Sequence, residues 1–172
     1  MTICKSERLI IRKFTLNDAD FILQLFNQAP FIRYIADKGV RTIDDAKQYL
    51  SDNLIASYDK HGFGLYLIAL AKTNTAIGSC GLLKRETFNH PDLGFAFLED
   101  YCGRGYAYEA AQAILLHEKN TLPFNTILAV TMPDNISANR LLTKLSFAKT
   151  GMLELYNANN NLYEIAVKDI AN

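Results

Sequence analysis

The 172-residue sequence predicts an α+β fold, a mixed and largely antiparallel sheet flanked by helices. Three observations predict it. Short apolar runs come in pairs close enough for hairpins, 65–71 with 76–83 and 147–153 with 162–167. Two capped helical patterns lie between the first strand and these pairs. A strand–helix–strand unit from 93 to 132 implies a right-handed crossover, and so a pair of parallel strands in that sheet.

The elements follow in order. Arg-Leu-Ile-Ile-Arg-Lys-Phe, 8–14, reads as a strand from its branched apolar content. Thr15-Leu-Asn-Asp18 has the form of a capping box with aspartate in place of glutamate, and opens a helix that carries Phe21, Ile22, Leu25 and Phe26 on one face. Pro30 should end or bend that helix. Thr42-Ile-Asp-Asp45 repeats the signal ahead of Ala46, Tyr49, Leu50 and Leu54. The stretch 31–41 between them reads as a loop or short helix able to lie over a substrate. Strands 65–71 and 76–83 turn at Asn74, a loop covers 86–91, and an apolar strand runs over 93–98. A helix spans 104–119, and a strand, 126–132, follows Pro123. Pro133-Asp-Asn135 caps a helix with the stripe Ala138, Leu141, Leu142 and Leu145. The final hairpin has the Asn-rich stretch 157–161 as its loop. No repeat or linker interrupts the chain, so a single domain over 1–172 is expected.

Composition narrows the function. Hydrophobic residues are 49% and charged residues 21%, the balance of a globular protein rather than a disordered one. Eighteen basic residues offset eighteen acidic ones, so nothing supports a nucleic-acid or membrane-surface partner, which needs a basic excess. Cys4, Cys80 and Cys102 are odd in number and lack metal-type spacing, which points to a reducing compartment without disulfides. The first residues lack a signal-peptide core, and no apolar run is long enough to span a bilayer. A cytoplasmic protein, monomer or homodimer, is expected.

The chain centres on Leu93-Gly-Phe-Ala-Phe-Leu-Glu-Asp-Tyr-Cys-Gly-Arg-Gly-Tyr-Ala-Tyr-Glu-Ala-Ala111. A strand, a glycine-bracketed turn and a helix N-terminus in sequence make an anion site, because backbone N–H groups and the helix dipole converge there. An ordinary connection with two turn glycines fits the spacing equally well.

With its neighbours, this stretch resembles the GNAT acetyltransferase superfamily, and more closely its RimJ/RimL-like branch. Glu7-Arg-Leu-Ile-Ile-Arg12 followed by Thr-Leu-Asn-Asp-Ala-Asp20 is similar to the branch's N-terminal signature. Leu93-Gly-Phe-Ala-Phe-Leu and Tyr-Cys-Gly-Arg-Gly-Tyr-Ala-Tyr-Glu-Ala110 are similar to its acetyl-CoA motif, and Asn135 to Phe147 to its second cofactor segment. The resemblance implies a strand 93–98 splayed from strand 126–132, usually with a bulge. It implies that Gly103, Arg104, Gly105, Tyr106 and Ala107 hold the pyrophosphate of acetyl-CoA through backbone N–H groups. The pantetheine arm would pair near Phe97 and Leu98, one N–H there facing the thioester oxygen. Asn135 would hydrogen-bond the arm, or only cap its helix. No metal is implied.

The sequence departs from the pattern in places. Cys102 stands where Gln, Arg or Trp is usual, and Tyr108 where Thr commonly caps. The position of the Tyr that many members use to protonate the leaving thiolate is Leu142, and Ser137 sits one residue before the place where some branch members carry Ser. For the base, Asp92 is the first candidate and Glu86 the second; each reads equally as a solvated loop carboxylate. Glu109 matches a recurrent family residue and also reads as one that serves only the helix dipole. The implied function is N-acetyl transfer by direct attack of an amine, with a protein or peptide α-amine as acceptor. At pH 7 roughly a tenth of α-amines are neutral, against under about a thousandth of lysines. A small amine (a polyamine, an amino-acid derivative, an aminoglycoside) is the alternative, and so is a CoA-binding module without turnover.

Overall fold

A computed structural model describes residues 1–171. Eight strands form one sheet in the order β1-β2-β3-β4-β5-β6-β8-β7. They are β1 (Thr2–Lys5), β2 (Leu9–Arg12), β3 (Leu65–Leu70), β4 (Ala76–Leu83), β5 (Asp92–Phe97), β6 (Thr126–Thr131), β7 (Ala148–Leu155) and β8 (Ala158–Ala166). Every neighbouring pair is antiparallel except β5 and β6. The α+β expectation therefore holds. The N-terminal strand β1 carries only two apolar residues between polar ends and gave no strand signal.

The helices are α1 (Ala19–Phe26), α2 (Ala29–Tyr34), α3 (Ile43–Tyr49), α4 (Ala56–His61), α5 (Tyr106–Thr121) and α6 (Ile136–Lys144). A wider-wound π segment, Leu50–Ile55, joins α3 to α4. Both capping signals form. Asp18 accepts the Thr15 N–H at 2.8 Å, and Thr42 and Asp45 cap each other reciprocally. Pro30 does not merely stop α1; it sits in the first turn of α2, where its missing N–H costs nothing. Arg12 clamps Asp18 with both guanidinium ends, at 2.7 and 2.9 Å, and so ties the end of β2 to the start of α1. Burial alone would raise the Asp18 carboxyl, but Arg12 and Thr15 together hold it below the usual range.

Apolar side chains fill both faces of the sheet. On one, α5 lays Ile114 and Leu115 against Ile68, Cys80, Leu82, Leu93 and Ile127. On the other, α1, α3 and the π segment lay Ile22, Leu25, Ala46 and Leu50 against Leu67, Ala69 and Leu98. The final hairpin is tighter than its Asn-rich stretch suggests: the turn is Tyr156-Asn157, both at positive φ (54° and 58°), and residues 158–161 already belong to β8.

Close approach of β3 and β4 depends on Gly81, where a Cβ would overlap the Gly64 carbonyl oxygen and lie 2.9 Å from the Leu65 Cα. Those obstacles are backbone and cannot rotate away. Gly81→Ala is expected to cost about 1–3 kcal/mol. In a chain of this size that is a melting point several degrees lower, at about 2–4 °C per kcal/mol. Gly151→Ala, where a Cβ meets nothing within 4 Å, should melt with the parent in the same calorimetric scan.

Candidate active site

The site begins where two neighbouring strands stop pairing. The Leu98 N–H donates to the Ile77 carbonyl at 2.9 Å. In the regular β4–β5 register, the backbone groups of Asp92, Gly94 and Ala96 therefore face β4 as well. Those of Leu93, Phe95 and Phe97 face β6. Strand β6 meets β5 only at Asp92 and Leu128, with the Leu128 N–H donating to the Pro91 carbonyl at 2.9 Å. Beyond that point the strands diverge, and the N–H groups of Phe95 and Phe97 face a gap that no strand fills. The splay is as expected; the bulge is not, because β4 and β5 pair without a register shift. Leu98 also needs correcting as a donor into the gap, since its N–H is already used. The Phe97 N–H does face the gap, as does that of Phe95, two residues nearer the vertex.

The far wall of the gap is held by Asn139, which sequence reasoning missed. Its Oδ1 accepts from Thr131 Oγ1 at 2.6 Å, Tyr163 OH at 2.9 Å and Asn161 Nδ2 at 3.1 Å. Its Nδ2 donates to the Asn135 carbonyl at 2.9 Å. One side chain thus fixes the end of β6, the start of α6 and β8. Asn135 caps α6, its Oδ1 accepting the Ala138 N–H and the Ser137 hydroxyl, each at 3.3 Å. Asn135 also lines the cavity that opens from the gap. Leu142 is fully buried in the core, so no acid stands at that position.

A cavity of about 500 Å³ opens from the gap on the α1–α3 side of the sheet. Ser79, Gly94 and Ala96, with small side chains or none, line it from the sheet. Phe31, Tyr34 and Tyr49 close it from the helices, Val130 from β6, Asn135 from the cap of α6, and Leu155 and Tyr156 from the last hairpin. The stretch after Pro30 does form one wall. At the vertex lies Asp92, 1% exposed, with both carboxylate oxygens 3.0 Å from Arg85 Nε. Burial raises the Asp92 carboxyl above its ordinary value, and Arg85 opposes that without cancelling it. Arg85 also donates from Nη1 to the Tyr156 hydroxyl at 2.6 Å. Glu86 is exposed on the loop after β4, outside the cavity lining.

The glycine-bracketed turn lies at the open end of the gap. Gly103 (φ +73°) and Gly105 (φ +82°) are both left-handed, and Gly105 is the N-cap of α5. This leaves the first N–H groups of α5, from Tyr106 and Ala107 onward, without intrahelical acceptors. Arg8 lies beside the turn. Its guanidinium stacks on the Tyr106 ring at 4.4 Å and donates to the Arg104 carbonyl at 3.1 Å. Glu109 does more than serve the dipole: it accepts from Ser6 Oγ, Arg8 N–H and Arg8 Nε at 2.7, 2.8 and 2.6 Å. It thereby docks the β1–β2 turn onto α5. The Cys102 thiol is pushed up by burial and by Glu99, which disfavours the thiolate a nucleophile needs. Among the described residues, no group of His, Cys, Asp and Glu is placed to hold a metal ion.

Residues 8–148 match the family model described as an acetyltransferase (GNAT) domain. The chain belongs to the GNAT acetyltransferase family. It is 28% identical over 153 residues to an uncharacterized N-acetyltransferase, p20, of Bacillus licheniformis, covering 88% of this chain and 85% of that one. Its fold matches an acetyltransferase (GNAT family) from Bacillus anthracis with TM-score 0.81 and 26% identity, over 98% of this chain and all of the other. It also matches RimL, a ribosomal L7/L12 α-N-protein acetyltransferase in complex with coenzyme A, with TM-score 0.84 at 19% identity, over 96% and 98% of the two chains. As a GNAT enzyme, the chain is an acyl-CoA-dependent acetyltransferase.

The turn's left-handed glycines and free N–H groups suit a pyrophosphate held by backbone. Gly103→Val and Gly105→Val should therefore raise the KM for acetyl-CoA far more than Cys102→Ala, as measured in steady-state kinetics. Equal effects would assign the turn no such role.

Proposed function

We propose that the chain moves the acetyl group of acetyl-CoA to a primary amine, the α-amine of a protein or peptide N-terminus, by direct attack within the cavity. The observation that carries this reading is the place of Asp92, a buried carboxylate at the vertex of the β5–β6 gap, facing the cavity that opens from it. The fold shared with RimL, an α-N-protein acetyltransferase, supports the choice of acceptor.

Acetyl-CoA supplies an activated acyl carbon on a thiol leaving group. The residues of this chain supply the rest. Gly103, Arg104, Gly105, Tyr106 and Ala107 hold the pyrophosphate with backbone N–H groups, and Asn135 steadies the pantetheine arm. The Phe97 N–H pairs with that arm deeper in the gap. The Phe95 N–H, beside the cavity, donates to the thioester oxygen as negative charge develops there. Asp92 takes the proton that the amine sheds, directly or through water. The guanidinium of Arg85 across its two oxygens favours the ionised form that a base must have. A thiol of pKa about 8.5 leaves near neutral pH without an acid, so a leucine at position 142 is tolerable. The free cysteines suit a reducing cytoplasm.

The test is thiol release from acetyl-CoA with a panel of peptides and small amines. Turnover should rise with pH toward the α-amine pKa near 8, because only the neutral amine attacks. Asp92→Asn should lower kcat by about 10²-fold with the KM for acetyl-CoA unchanged, while Glu86→Gln changes neither. Tight CoA binding with no thiol release for any amine would make the chain a binding module instead.

A further inference from the structure

The chain as a whole is electrically neutral, but its cavity is not. Arg33, Lys38, Lys84 and Arg85 line it against the single carboxylate of Asp92. Much of this charge is already engaged. Arg33 pairs with Asp134 at 2.8 Å on the exposed rim, and Lys84 Nζ donates to the Phe88 carbonyl at 2.6 Å. Arg85 gives Nε to Asp92 and Nη1 to Tyr156. Lys38 differs: its ammonium lies 5.8 Å from the Tyr156 ring centre, and among the described residues no carboxylate forms a salt bridge with it. The Tyr156 hydroxyl accepts from Arg85, so its own proton remains free to donate. Tyr156 is 57% exposed and held at φ 54°, a backbone conformation an aromatic residue seldom adopts. The strained turn thus presents the phenol, the ammonium and the outer edge of the guanidinium at one wall of the cavity.

We propose that this wall, Lys38, Arg85 and Tyr156, binds an anionic group on the acceptor, a carboxylate or phosphate lying within a few bonds of the amine that is acetylated. The proposal rests on the cavity being the acceptor site. One guanidinium joins base and wall: its Nε holds Asp92, where the amine sheds its proton, and its Nη1 holds Tyr156. Asp92 and Tyr156 share that one guanidinium, so an acceptor whose amine and anion lie a few bonds apart can address both, as can an amino acid, a peptide with an acidic first residue or an aminoalkyl phosphate. A polyamine or aminoglycoside would bring further positive charge to a wall that already has an excess of it.

The experiment compares kcat/KM by thiol release on matched amines: peptides led by Asp or by Asn, free aspartate, aminoethyl phosphate and a polyamine. The anionic acceptors should exceed their neutral isosteres by about tenfold or more, the effect of one charge-assisted hydrogen bond in a partly buried site. Lys38→Gln and Tyr156→Phe should each shrink that ratio. Which anionic acceptor leads tells a peptide, an amino acid and a phosphate apart. Equal rates on Asp- and Asn-led peptides, or a preference for the polyamine, would overturn the proposal. A second measurement separates it from the acetyl-transfer reading: calorimetric titration of aspartate and of inorganic phosphate into the protein saturated with CoA. If no amine releases thiol, binding of either anion that Lys38→Gln weakens still supports the anion site. Absence of binding by both overturns it.

Discussion

Strands β5 and β6 pair at one position and then part, and the site is arranged around the hydrogen bonds they do not make. Each strand is secured along its outer edge, β5 by its ladder to β4 and β6 by its ladder to β8. Their inner edges are left facing each other across a gap. No strand accepts the N–H groups of Phe95 and Phe97, so they favour an occupant with carbonyls to offer. In the proposed reaction the pantetheine arm, built of amides, answers that need. The elements around the gap are tied from outside: Asn139 holds β6, α6 and β8 together, and Glu109 holds the N-terminal hairpin against the helix that follows the glycine-bracketed turn.

The cavity chemistry follows from where the gap closes. At the vertex the sheet is continuous, so the side chain of Asp92 is buried and its charge must be matched. Arg85 does this from the far end of the β4–β5 connection, and its remaining donors extend the polar wall to Tyr156. Removing Arg85 would leave a buried carboxylate unpaired, which is strongly destabilising. Asp92, the proposed base, and Tyr156, part of the proposed anion-binding wall, are thus linked through one side chain.

The features most legible in the sequence were local ones. Capping boxes at Thr15 and Thr42, the cap at Asn135 and the glycines at 103 and 105 each depend on contacts within a few residues. The glycines of the 103–107 turn are left-handed, and Leu142, where many family members carry an acid, is buried. Legibility failed where long-range pairing decides. Strand β1 forms only because β2 offers it an edge. Which N–H points into the gap depends on register, and Leu98 differs from Phe97 in that respect alone. Arg85, Asn139 and Tyr156 carry no motif; distant strands and a hairpin turn bring them to the site. A weak cue existed for Arg85, since opposite charges at 85 and 92 flank a loop between two paired strands.

Amide hydrogen exchange resolved by residue, with and without saturating CoA, tests the role of the gap most directly. The account predicts that CoA slows exchange at Phe95 and Phe97, whose N–H groups gain an acceptor. Ala96 and Leu98, already bonded to β4, should change little. Protection spread equally over 95–98, or confined to Ala96 and Leu98, would contradict it.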